Sequence, residues 1–110
     1  MGIEPKDILI VMVSTANQEE AARISEQAVR SRQAACATTI PMVRSTYWWE
    51  EELVRDQSEV IVLLKTTANK FQMLQDTIKQ AHSYKVPEII AISVSKGLPQ
   101  YLEWVRRETS

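Results

Sequence analysis

Glycine is nearly missing from this chain: Gly2 and Gly97 are the only two in 110 residues. A dinucleotide-binding fingerprint needs three closely spaced glycines, and a Walker loop needs two about five positions apart, so both are excluded. Cys36 is the single cysteine and His82 the single histidine. Their scarcity excludes an intrachain disulfide and any zinc motif built within one chain on several cysteines or paired histidines. Long apolar runs are lacking too. The longest covers residues 8–13, six residues, against about 18 for a membrane span. A basic surplus is also missing, since 13 Lys+Arg face 14 Asp+Glu for a net charge of −1. That balance weighs against a domain that reads nucleic acid through its phosphates. Near the start stand Glu4, Pro5 and Asp7, unlike the basic opening of a signal peptide. A lone reduced thiol without a targeting segment points to the cytoplasm.

What is present is the composition of one ordinary globular domain, 45% hydrophobic and 25% charged. Residues 8–13 form a β-branched apolar run, the pattern of a buried strand. Asn17 and Glu20 stand at capping-box spacing before a helix that places Ala21, Ile24 and Ala28 on one face and ends in Arg30 and Arg32. Residues 34–49 read as a strand bent at Pro41, and Glu50-Glu51-Glu52 as a charged turn. Residues 53–66 read as a second long strand. Thr67 is the expected cap of a helix carrying Phe71, Leu74, Ile78 and Ala81. A loop over 82–87 leads to a short strand over 88–95, and Gly97 and Pro99 open a last helix. The order predicts an α+β fold, a ferredoxin-like βαββαβ sandwich with a long central hairpin and a C-terminal helix.

The hairpin is too long for its domain. Sixteen residues over 34–49 would reach roughly 50 Å extended, whereas a chain of this size has a diameter of roughly 34 Å. Its far end carries Tyr47, Trp48 and Trp49, side chains that favour interfaces. Either Pro41 folds the arm back so that these aromatics finish the local core, or sister copies cover it. The aggregation hazard of a bare edge favours an oligomer with Tyr47, Trp48 and Trp49 in its interface.

Candidate chemistry is sparse. The loop over 82–87 could bring His82 and Glu88 together as imidazole and carboxylate ligands for Cu(II) or another divalent cation, although two donors make only part of a site. The alternative is a surface histidine at a helix C-terminus. Cys36 is a nucleophile with His82 as base or an inert strand thiol. Lys65-Thr66-Thr67 lies where an anion could dock, or where a cap alone is needed. The segment after the first strand, Ser14-Thr15-Ala16-Asn17, has neither the arginine nor the glycine of a phosphate-cradling hydrolase loop.

Five blocks in order carry a resemblance. Residues 34–41 (AACATTIP), 47–50 (YWWE), 65–67 (KTT), 82–89 (HSYKVPEI) and 101–104 (YLEW) resemble the signature blocks of the CutA family of divalent-cation tolerance proteins. The resemblance implies a PII-like homotrimer joined through its long hairpins, cytoplasmic, without catalytic activity or an obligatory cofactor, and linked to tolerance of copper and other divalent metals. It places copper ligands on His82 and Glu88, and a third on Ser14, where serine stands for a cysteine and binds Cu(I) poorly. Ser83 likewise stands for a proline. Around inter-subunit clefts it implies Ser14, Cys36, Trp49, Lys65, His82, Tyr84 and Glu88, with a metal ion or small ligand as partner and neither nucleic acid nor membrane. The alternative is a PII-like signalling or scaffold trimer that binds a small anionic metabolite or a partner protein, in which Lys65 matters most.

Overall fold

The computed structural model describes residues 2–110. Strand β1 (Ile8–Thr15) is followed by helix α1 (Gln18–Arg30), the long strands β2 (Cys36–Trp49) and β3 (Glu52–Thr67), a 3₁₀ turn over Ala68–Lys70, helix α2 (Phe71–Ala81), strand β4 (Ile89–Ser93) and helix α3 (Pro99–Glu108). The four strands form one antiparallel sheet in the order β2-β3-β1-β4. This is the expected ferredoxin-like arrangement.

Because side chains alternate along a strand, the sheet has two distinct faces. On one, Val11, Val13, Val60, Val62 and Leu64 pack under Ala21, Ile24 and Ala28 of α1 and Leu74 and Ile78 of α2. Truncating a side chain such as Leu74, fully buried here, costs about 2–5 kcal/mol. A second small cluster joins Ile8, Ala35 and Val105 of α3. The other face takes the alternate residues: Met12 opposes Leu63 and Ile90, and Ile10 opposes Ile92. Ile40 and Ile61 stand opposite each other across β2 and β3. Ile90 and Ile92 are half exposed, so this apolar face lacks a full cover within one chain.

The capping box at α1 forms with a shift. The Glu20 amide donates to Asn17 Oδ1 at 2.9 Å, but the Glu20 carboxylate accepts from the Ala16 amide, one residue before the position a capping box predicts. Thr67 does not cap α2: its hydroxyl meets Asn69 Oδ1 at 2.6 Å, and a 3₁₀ turn intervenes before the helix. Bending at Pro41 is real. The register slips between Ile40 and Val43, with Met42 at φ 62°, and again between Ser45 and Tyr47. Even so, the arm does not fold back, and Trp48 remains 70% exposed.

Candidate functional site

The end of β1, the start of the loop after α2 and the bulged hairpin converge on one cleft. His82 follows the last residue of α2, and its imidazole is fully enclosed. Its Nδ1 accepts the Tyr84 amide proton at 3.0 Å, so the remaining proton sits on Nε2, which donates to the Ser14 carbonyl at 2.6 Å. Both nitrogens are therefore occupied by the fold, and the ring is neither a free ligand nor the alternative surface histidine but a buried tie between the strand and the loop. A metal could reach the ring only by displacing one of these bonds.

Behind the ring stands Glu20, 3% exposed. Its carboxylate accepts the amides of Ala16 at 2.9 Å and Ser83 at 2.7 Å, and lies 3.8 Å from His82 Nδ1. Burial alone would raise the carboxyl, but the hydrogen bonds from Ala16 and Ser83 outweigh it, and its pKa falls below the usual 4.5. On the cleft side, the Tyr84 ring packs against His82 with centroids 4.8 Å apart, and its hydroxyl donates to Glu59 Oε2 at 2.7 Å. Burial first, then the Glu59 carboxylate that holds its proton, push the Tyr84 phenol far upward. Glu59 itself is 5% exposed. It stands on the apolar open face, two residues before Ile61 and opposite Val43 just past the bulge.

The resulting cleft has a volume of about 650 Å³ and is lined by Ser14, Tyr47, Trp49, Glu59, Tyr84 and Glu88, with Glu50 and Lys85 also contributing. Four expected residues thus come together here: Ser14, Trp49, Tyr84 and Glu88. Three do not line it. His82 supports it from within, while Cys36 and Lys65 are paired in register elsewhere on the sheet. Cys36 Sγ lies 3.9 Å from Tyr101 Oη, and Lys65 Nζ donates to the Thr38 hydroxyl at 3.0 Å. Tyr47 turns into the cleft and Trp48 points elsewhere. Among the described residues no three His, Cys, Asp or Glu side chains stand close enough to hold a metal ion, so one chain alone does not supply a complete metal shell.

Sequence reasoning missed Glu20 and Glu59. Glu20 was visible as a cap, but its second arm reaches a residue 63 positions away. Glu59 carried only a weak signal, a carboxylate set directly against the apolar run over 60–64.

A family model described as CutA1 divalent ion tolerance protein matches residues 9–108. A divalent-cation tolerance protein CutA from Thermus thermophilus is 38% identical over 100 residues, covering 91% of this chain and 96% of that one. A chloroplastic CutA from rice is 33% identical over 92% of this chain, which spans only 56% of the rice protein. The crystal structure of CutA from Xylella fastidiosa superposes with a TM-score of 0.91 at 34% identity, covering 94% of this chain and 99% of that one. With a matching model over nearly its whole length and the same sheet and hairpin, this chain belongs to the CutA1 divalent-ion tolerance family.

Proposed function

We propose that this protein is a cytoplasmic, non-catalytic homotrimer whose clefts, completed at the seams between copies, bind a cation. The carrying observation is continuity. Ser14 and Glu59 belong to the same sheet face as Met12, Ile61 and Leu63, so whatever covers that apolar face also closes the cleft. The lining holds three carboxylates, Glu50, Glu59 and Glu88, against one ammonium, Lys85, which suits positive charge. The divalent-cation tolerance named for the Thermus relative makes a divalent ion the first to test, and Cu(II) is the choice for its affinity for oxygen and nitrogen donors. Within this reading a metal ion is cargo, with Glu88 as the donor facing the cleft, and water or a sister copy completes the shell. His82 joins the shell only if its ring leaves the Ser14 carbonyl. The anionic-metabolite alternative loses its main support, because Lys65 is engaged by Thr38 outside the acidic cleft.

The test combines mass and heat. Light scattering at micromolar concentration should give three times the chain mass of 12.6 kDa. Titration calorimetry with Cu(II) should then show weaker binding for Glu88→Ala than for wild type. Identical isotherms for wild type, Glu88→Ala and His82→Ala would remove the metal role from both residues.

A further inference from the structure

Resting on that cleft reading, we infer that the preferred occupant is an organic ammonium on an aliphatic stem, such as a short diamine, rather than a bare metal ion. Three features of the cleft argue for this. First, Glu59 is a nearly buried carboxylate with only one oxygen committed. Oε2 accepts from Tyr84, whereas Oε1 has no hydrogen-bond partner among the described residues. A nearly buried carboxylate with one oxygen held by a phenol and the other open to the cleft favours a cation that can donate to it. Second, the walls beside it are the rings of Tyr47, Trp49 and Tyr84. Aromatic faces attract an ammonium or a methylene next to one, but they offer no lone pairs to a metal. Third, one chain offers no cluster of three His, Cys, Asp or Glu side chains for a metal ion among the described residues. An ammonium needs only one or two acceptors. The volume of about 650 Å³ lies within the range of small-molecule sites rather than single-ion sites, and Glu50 and Glu88 on the same lining provide for a second positive end.

Putrescine is the probe, with butanediol of equal chain length as the uncharged control and Mg(II) as the bare-ion control, each titrated calorimetrically into the full chain. Putrescine should bind saturably, and butanediol should give no heat beyond dilution. Glu59→Gln keeps an acceptor for the Tyr84 hydroxyl and should still fold. It should weaken putrescine by about tenfold or more. Trp49→Ala, a half-exposed position on the arm, should weaken it independently. No putrescine binding, equal binding of butanediol, tighter binding of Mg(II), or an unchanged affinity in Glu59→Gln would each overturn the inference. Light scattering and the Cu(II) titration on the same samples keep the two readings apart. A trimer that binds Cu(II) but not putrescine refutes this inference and leaves the proposed function standing. A single-chain species that binds putrescine does the reverse.

Discussion

Glu20 shows how one residue joins distant parts of this chain. Its amide closes the start of α1 on Asn17, while its carboxylate reaches back to Ala16 and across to Ser83. Replacing it with glutamine turns one acceptor into a donor that faces an amide, a loss of about 1.5–3 kcal/mol for hydrogen bonds to a buried charge. The pH dependence has a definite sign. A carboxyl whose pKa is depressed on folding contributes stability above its ordinary range, and that stability disappears as the pH falls through the lowered folded value. Urea midpoints should therefore separate wild type from Glu20→Gln at neutral pH and converge as the pH falls through the lowered folded value of Glu20. A constant gap across that window would show that the charge is immaterial. The cap itself was legible, because Asn and Glu at that spacing announce a helix start. The burial was not, because it depends on where Ser83 lies, and only the folded loop decides that.

At the level of elements, the long apolar strands and the helix faces could be read from their periods, and their observed ends fall within one or two residues of the expected ones for β2 and β3. The turns were harder, because this chain makes left-handed turns without glycine. Neither glycine has positive φ, whereas Arg32, Met42, Glu50, Glu51 and Asp56 do. The β2–β3 connection is a two-residue turn with Glu50 at φ 48° and Glu51 at φ 66°, a geometry in which Asn-Gly is favoured. Each left-handed non-glycine residue costs about 1–2 kcal/mol before any compensation. Glu50→Asn with Glu51→Gly should accordingly raise stability by about 1–2 kcal/mol, measured as a higher denaturant midpoint at unchanged slope. The bulge gives a paired control. Met42 is 86% exposed at φ 62°, so Met42→Val should cost about 1–2 kcal/mol through backbone strain alone, while Met42→Asn should be neutral or slightly stabilising. If Val and Asn proved equivalent, the bulge would not constrain Met42 as described.

For the whole molecule, arm length and the open face make separate demands. The longest dimension is 43 Å, shorter than the roughly 50 Å of a straight strand of this length. The bulges therefore absorb part of the excess, and the rest projects with Trp48 in solvent. The demand of the arm was legible from its residue count. The second demand was not, because a strand buried on both faces looks the same in sequence whether a helix or another subunit provides the second cover. In the fold, α1 and α2 cover one face only, and Ile90 and Ile92 are left half exposed beside Met12 and Leu63. A face of this kind on a lone chain invites association. If sister copies cover it, folding and assembly are linked by mass action, and the melting temperature of wild type should rise with protein concentration. Ile92→Lys places a charge on that face next to Ile10 without touching the buried helix side. It should lower the mass seen by light scattering and flatten the concentration dependence while the secondary structure of each chain persists. A wild-type melting temperature that holds across serial dilution, together with an unchanged mass for Ile92→Lys, would mean that the open face is tolerated in water, and the seam that closes the cleft would then have to be sought on the hairpin alone.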